Sequence, residues 1–219
     1  MIEDIAVYVL LDPEHAGGHA IPDLASAAAR NGASLLQVRD KHGHARGMIE
    51  LTRACIDAVA GTGVPVVVND RVDVAIAAGA AGVHVGQTDI PPAQARAMLG
   101  SEAIVGLTVK TEDHLREAPL DVVSYFGMGG VFATQTKQNP NPPIGLSGLT
   151  TLVGAARAVG FQGPLAGIAG IDASNAADVV RAGADGVCVI SAVSAARDPG
   201  AAVNELVRIV RTARNSDRG

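Results

Sequence analysis

Residues 182–191 read AGADGVCVIS, and this stretch contains the pattern that decides the fold. A glycine turn ends a helical pattern, and an apolar run of strand length, 186–191, follows it at once. Glycine adopts the left-handed conformation that closes a helix, and small neighbours let the next strand pack closely. Similar turns occur at residues 31–33 and 78–80, so one helix–strand unit is predicted to recur along the chain.

The chain as a whole alternates short β-branched runs with longer amphipathic stretches, the order typical of parallel βαβ units. Eight such units indicate a closed (β/α)8 barrel (TIM barrel) of eight parallel strands rather than an open sheet. Residues 1–219 are predicted to form one domain, because no linker divides them, and the polar tail 214–219 is expected to fray. The last helix is predicted over Ala201–Ala213. The predicted strands are Ile5–Leu11, Ser34–Arg39, Val64–Asn69, Gly82–Gly86, Ala103–Thr108, Val122–Gly127, Pro164–Gly167 and Gly186–Ser191.

Composition narrows the class of protein. Apolar residues make up 48 % of the chain and aromatic residues 2 %, which suits aliphatic strands buried on both faces. The net charge of −5 argues against nucleic acid as the main partner. No apolar run reaches the roughly 18 residues of a membrane span, and the acidic start Met1–Asp4 is unlike a secretory signal. Cys55 and Cys188 fall in apolar patterns, as buried thiols of a reducing compartment do. The sequence therefore predicts a cytoplasmic protein with no membrane partner, and it leaves a homo-oligomer open.

Polar side chains collect at the carboxyl ends of the predicted strands, where barrels of this kind carry their active sites. Gln37, Arg39 and Lys41 alternate at the end of the second strand, so in an extended chain they project to one side. If that side faces the lumen, an amide and two cations converge on one anion. The alternative is a surface strand with solvated charges. Asn69 and Thr108 end the third and fifth strands in the same way.

Two carboxylates follow neighbouring strands. Asp70 and Asp89 come after the third and fourth strands, close to the basic residues of the second. Such a pair can hold Mg²⁺, which prefers oxygen ligands and usually bridges to substrate phosphates. The alternative is that each carboxylate caps the helix that follows it. His84, on the fourth strand, is either a core histidine or a substrate contact.

Glycine turns follow the seventh and eighth strands, at Gly170 and beside Ile190 and Ser191. Barrels often bind a phosphate between these two loops and the start of a short extra helix. The connection Met128–Gly148 is unusually long, which favours a lid or a binding loop. This connection carries Thr134, Thr136 and Lys137.

Four motifs occur in order at these strand ends, and on them the chain resembles the thiamine-phosphate synthase family across nearly its whole length. The motifs are QVRDK at 37–41, VNDR at 68–71, GVHVGQTD at 82–89 and TQTK at 134–137.

The resemblance implies a transferase that joins two phosphorylated halves of thiamine and uses Mg²⁺. The thiazole nitrogen of an ethyl monophosphate would displace pyrophosphate from an aminopyrimidine methyl diphosphate, through a carbocation-like pyrimidine. The resemblance assigns the metal to Asp70 and Asp89. It assigns the catalytic roles to Arg39, Lys41, Thr108 and Lys137. It assigns the pyrimidine diphosphate to Gln37, Arg39, Lys41, Asn69, Thr108 and Lys137. It assigns the thiazole phosphate to Thr134, Thr136, Gly170, Ile190 and Ser191.

Three positions depart from the family pattern. Thr108 stands where serine is common, Lys110 where histidine is frequent, and Ala169 where the first glycine of a turn is usual. One alternative is a paralogue similar to thiazole tautomerase, which uses a histidine near position 110 and need not keep the cations that bind diphosphate. The other is an inactive protein that binds thiamine precursors. The retained carboxylates and cations favour the synthase.

Overall fold

A computed structural model describes residues 2, 4–134 and 142–216 of the chain. Eight parallel strands pair in sequence order, and β1 pairs with β8, so the sheet closes into the predicted barrel. Each strand is followed by a helix before the next begins. The strands are β1 Val7–Leu11, β2 Leu35–Val38, β3 Val66–Asn69, β4 Gly82–Val85, β5 Ile104–Val109, β6 Tyr125–Met128, β7 Leu165–Ile168 and β8 Gly186–Val189.

Helices surround the barrel, and one short helix follows β8 before the long final helix. Among the described residues, none of these helices has the length and apolar composition that crossing a membrane requires. A 3-10 turn, Pro13–His15, follows β1. The helices are α1 Ile21–Arg30, α2 Ala45–Ala58, α3 Val72–Ala78, α4 Pro92–Leu99, α5 Glu112–Glu117, α6 Gly145–Ala158, α7 Ala176–Arg181, α8 Ser191–Ser194 and α9 Pro199–Ser216.

Two apolar layers hold the barrel together because successive strand residues point to opposite faces. Outward residues such as Val9 and Val187 pack against the helices in one large core. Inward residues such as Tyr8 and Cys188 fill the lumen in a second, smaller core. Cys55 and Cys188 are both buried thiols, as predicted.

The glycine turns have the predicted geometry. Gly32, Gly79 and Gly183 have φ of +99°, +74° and +104°, the left-handed region in which a side chain is strained. Each lies between a helix and the strand after it.

Several predicted boundaries are wrong by one to three residues. Ser191 does not end β8, because β8 stops at Val189 and Ser191 begins α8. The connection after β6 ends earlier than predicted, since α6 begins at Gly145; its residues 135–141 lie outside the described part. The last helix extends beyond the predicted Ala213, because α9 continues to Ser216 and Arg214 Nε donates to the Asp185 carbonyl at 2.6 Å.

Candidate active site

A cavity of about 830 Å³ opens at the carboxyl ends of the strands, the end at which the polar residues were predicted to meet. It is called the lumen cavity below. Its floor is the polar part of the lumen and its wall is formed by the loops after β1, β6, β7 and β8. Of the residues assigned to substrates, those that line it are Gln37, Arg39, Asn69, Thr108, Thr134, Gly170, Ile190 and Ser191.

A second cavity, of about 890 Å³, lies at the amino-terminal ends of the strands, but its cations are already paired. Arg157 donates to the Asp185 carboxylate at 2.7 Å, and Arg214 donates to Asp4 at 2.9 Å. These contacts fasten α6 and α9 to the base of the barrel. Because barrels of this kind carry their chemistry at the carboxyl ends of the strands, the lumen cavity is the candidate active site.

A chain of hydrogen-bonded side chains crosses the floor of the lumen cavity. Gln37 Nε2 donates to the Tyr8 hydroxyl, which lies 2.8 Å from the Tyr125 hydroxyl. His84 joins the chain, with Nδ1 2.9 Å from the Tyr125 hydroxyl and Nε2 2.7 Å from Thr108 Oγ1. Burial, and for Tyr8 the neighbouring Tyr125, raises the pKa of both phenols well above the usual value, so each keeps its proton. The floor therefore offers hydrogen-bond donors and acceptors in fixed positions, with both phenols protonated.

This floor exists because β5 has a glycine where a side chain would block it. A Cβ added at Gly106 would lie 2.5 Å from His84 Nδ1 and closer still to the Tyr125 ring. Sequence reasoning left the role of His84 open and did not single out Tyr8 or Tyr125. The alternation of inward residues along β1 and β6 was the signal that could have found both tyrosines.

Gln37 and Arg39 share the inward side of β2, as their alternation predicts, and are 2 % and 8 % exposed. Lys41 does not line the lumen cavity. It lies further out, beyond the end of β2, with 41 % of its side chain exposed, and its ammonium pairs with Asp70. The cations are therefore divided between the cavity wall and its rim.

Asp70, Asp89 and Lys41 form the rim cluster. Asp70 has φ of +62°, and its N–H donates to the His84 carbonyl at 2.8 Å. The Arg71 N–H closes a three-residue turn by donating to the Asn69 carbonyl at 2.7 Å. Asp89 Oδ2 accepts the Gly86 N–H at 2.7 Å. These loop contacts bring carboxylates from two neighbouring strands to one place.

Neither carboxylate caps a helix. Arg71 and Pro91 occupy the N-cap positions of α3 and α4, and neither helix has a side-chain cap. Burial raises the pKa of Asp89, and the nearby Asp70 carboxylate raises it further. The hydrogen bond from the Gly86 N–H acts in the opposite direction and lowers it. The pKa of Asp89 is thus raised partly by a second carboxylate, and a cation bound between the two would relieve their repulsion.

The loops after β7 and β8 form the opposite wall. Ala169 adopts φ of +76°, so it keeps a backbone conformation natural to glycine. Gly170 has φ of +66°, and a Cβ there would lie 2.5 Å from the Ala133 carbonyl oxygen. The space beside Gly170 is thus filled by the chain after β6, not left for a ligand. Ser191 is exposed at the start of α8, with Ile190 before it.

Two residues assigned to substrates, Thr136 and Lys137, lie outside the described residues. Lys41 and Lys110 follow β2 and β5, and Lys137 lies in the connection after β6; the chain has no other lysine. One buried acidic residue was missed altogether. Asp12, after β1, is ion-paired with Arg39, and a single aspartate after a strand gives no sequence signal that distinguishes it from a turn residue.

Comparisons with known proteins agree with this geometry. The family model described as thiamine monophosphate synthase matches residues 7–193. A thiamine-phosphate synthase from Agrobacterium fabrum is 46 % identical over 92 % of this chain and 92 % of its own length. Another, from Roseiflexus castenholzii, is 48 % identical over 91 % of this chain and 86 % of its own length.

The fold comparison reaches the same family. A solved thiamine phosphate pyrophosphorylase from Pyrococcus furiosus superposes with a TM-score of 0.81 and 31 % identity, covering 95 % of this chain and 96 % of that one. A Mycobacterium tuberculosis tryptophan synthase structure, 19 % identical with a TM-score of 0.70, shares the fold alone. The matches in sequence and in structure each span nearly the whole chain, which belongs to the thiamine monophosphate synthase family.

Proposed function

We propose that this protein condenses an aminopyrimidine methyl diphosphate with a thiazole ethyl monophosphate, giving thiamine phosphate and pyrophosphate. The observation that carries the proposal is the pairing, in a chain of this family, of an uncharged cavity floor with a charged rim. The floor suits a flat heterocycle, and the rim suits the phosphates attached to it. The net charge of −5 argues against nucleic acid as the main partner, and the two buried thiols support a cytoplasmic location.

The pyrimidine is expected to lie on the lumen floor. Gln37, Asn69 and Thr108 face the same cavity and offer amide and hydroxyl groups to a heterocycle. Because Tyr8, Tyr125 and His84 hold the floor in place, little reorganisation is needed when charge develops above it. The burial of this floor also keeps water away from a reactive pyrimidine methylene.

The diphosphate is expected to extend from the floor towards the rim. Arg39 on the cavity wall, Lys41 at the rim and Lys137 from the connection after β6 would bind its oxygens. Asp70 and Asp89 would hold Mg²⁺, a fit supported by their mutual repulsion and by their freedom from helix capping. A magnesium ion at this position would supply neutralisation of the charge that the leaving pyrophosphate gains.

The thiazole phosphate is expected at the opposite wall. Thr134, Ile190 and Ser191 line the cavity there, Gly170 keeps the adjoining loops in contact, and Thr136 belongs to the same proposed site. From this side the thiazole nitrogen attacks the pyrimidine methylene as its bond to the diphosphate oxygen breaks. The new C–N bond leaves a thiazolium cation, so no proton has to be removed.

The direct test mixes purified protein, Mg²⁺ and both phosphorylated halves, and measures thiamine phosphate together with pyrophosphate. We expect both products in equal amounts, and none when either half is omitted. Isomerisation of the thiazole without joining would instead identify a tautomerase. Binding of both halves without turnover would identify a precursor-binding protein.

A further inference from the structure

The carboxylate of Asp12 is buried beside Arg39 and His15, two residues that line the lumen cavity. Asp12 follows β1 directly and is 2 % exposed. A buried charge is costly unless it is paired and hydrogen-bonded. Arg39 Nη1 donates to Asp12 Oδ2, the Glu14 N–H donates to Oδ1 at 3.0 Å, and His15 Nδ1 lies 3.4 Å from Oδ2.

The barrel itself aligns Asp12 with Arg39. Leu11 and Val38 are partners in the β1–β2 register, and the Arg39 N–H donates to the Leu11 carbonyl at 2.9 Å. The ladder therefore continues one step beyond both strands and sets Asp12 beside Arg39. The ion pair follows from strand register rather than from a chance surface contact.

Arg39 keeps most of its donors for the cavity. A guanidinium carries five N–H donors in a planar fork. Among residues 2, 4–134 and 142–216, Asp12 is the acceptor for Arg39, through Nη1. Arg39 is 8 % exposed and lines the lumen cavity, so its remaining donors are held in one orientation at a water-poor wall.

We propose that Asp12 is a positioning residue that orients Arg39 and offsets part of its charge, so that pyrophosphate can leave after the bond breaks. The proposal rests on the function proposed above, in which Arg39 binds the diphosphate. An unopposed guanidinium at a water-poor wall attracts a polyanion strongly. Attraction felt equally by substrate, transition state and product does not raise kcat, and it slows product release.

The test measures pyrophosphate affinity by calorimetry in the presence of Mg²⁺, beside steady-state kinetics. For Asp12→Asn we expect pyrophosphate to bind at least about threefold more tightly, because the removed charge opposed it. We expect kcat to fall about tenfold or more, because Arg39 loses its orientation. A purely structural role predicts the reverse for affinity, namely weaker pyrophosphate binding as the fold loosens.

Two further variants separate the possible failures. Arg39→Met should weaken pyrophosphate binding, and adding Asp12→Asn to it should change the affinity no further, because Asp12 acts through Arg39. Asp185→Asn removes a more exposed aspartate–arginine pair at the other end of the barrel, and it should leave pyrophosphate affinity unchanged.

Unchanged binding in Arg39→Met would overturn the diphosphate site of the proposed function. If Arg39→Met binds pyrophosphate more weakly and Asp12→Asn binds it no more tightly than the wild type, only the role of Asp12 is overturned. If Asp12→Asn does not fold, the double variant decides, since removing both partners of a buried pair is tolerated better than removing one. A pyrophosphate affinity different from that of Arg39→Met would then overturn the inference.

Discussion

Asp70 has a backbone conformation that its side chain makes unfavourable. Its φ of +62° lies in the left-handed region, which costs a residue with a Cβ roughly 1–2 kcal/mol. Strain of this kind persists where the surrounding structure imposes it, and it is concentrated at functional sites. Glycine would relax the turn, so an aspartate here indicates that its carboxylate serves another purpose.

Replacing Asp70 separates stability from activity. Asp70→Gly should melt no lower than the wild type, because relief of strain offsets the loss of a half-exposed ion pair. The same variant should lose about 10²-fold or more in kcat, as removal of a metal ligand does. Asp73→Gly, in the first turn of α3, is the control and should lower stability by about 1 kcal/mol while keeping activity. Thermal melts and kinetics of both variants decide, and activity within about threefold of wild type in Asp70→Gly at saturating Mg²⁺ would refute the metal assignment.

Gly106 tests the uncharged floor. Gly106→Ala should push His84 away from Tyr125, costing about 1–3 kcal/mol in stability and lowering the rate at least tenfold. Gly154→Ala, in α6 with open space around its Cα, should be neutral or stabilising with unchanged activity. Equal activity in the two variants would show that the floor does not support the reaction.

At the scale of elements, the loop after β7 carries avoidable strain. Ala169 holds φ of +76°, and its carbonyl accepts the Phe132 N–H at 3.2 Å, so the loop keeps its shape despite the methyl group. Ala169→Gly should therefore raise the free energy of unfolding by about 1 kcal/mol and leave activity intact. Chemical denaturation measures the change. Lower stability in this variant would mean that the lost entropy of the unfolded chain outweighs the strain.

The turns between elements could be predicted from the sequence, whereas the contacts between distant strands could not. The sequence predicts the turns at Gly32, Gly79 and Gly183, because the backbone conformation of a glycine is a local property. The contact between Tyr8 and Tyr125 joins residues 117 positions apart and exists only when the barrel closes. The pairing of Asp12 with Arg39 depends in the same way on strand register, which short apolar runs leave undetermined.

At the scale of the whole molecule, one buried thiol and two buried phenols make the free energy of unfolding fall as the pH becomes alkaline. Burial raises the pKa of Cys55 to about 12 from a usual value of 9.0, and it raises those of Tyr8 and Tyr125 well above 10.0. The folded state thus keeps protons that the unfolded state releases, so this stability is present below pH 9 and is lost as pH rises. Each group contributes a slope of about 1.4 kcal/mol per pH unit between its two pKa values.

Urea unfolding between pH 8 and 11 checks this expectation. Cys55→Ala should reduce the pH dependence of the free energy of unfolding between pH 9 and 11 by the contribution of one group. The loss of packing lowers stability at every pH and does not change this slope. Tyr8→Phe should flatten it only above pH 10. A wild-type stability that does not fall between pH 9 and 11 would contradict the expectation.

The lysines, finally, make the two ends of the barrel chemically unequal. Lys41 and Lys110, the two lysines within the described residues, lie at the carboxyl ends of strands, whereas the opposite end carries arginines such as Arg157 and Arg214. Reagents that acylate the amines of Lys41 and Lys110 would therefore modify the end of the barrel that opens into the lumen cavity. Attachment to a solid support through these lysines would turn the opening of the lumen cavity towards the support. Attachment through a residue introduced beside Arg157 would leave that opening accessible.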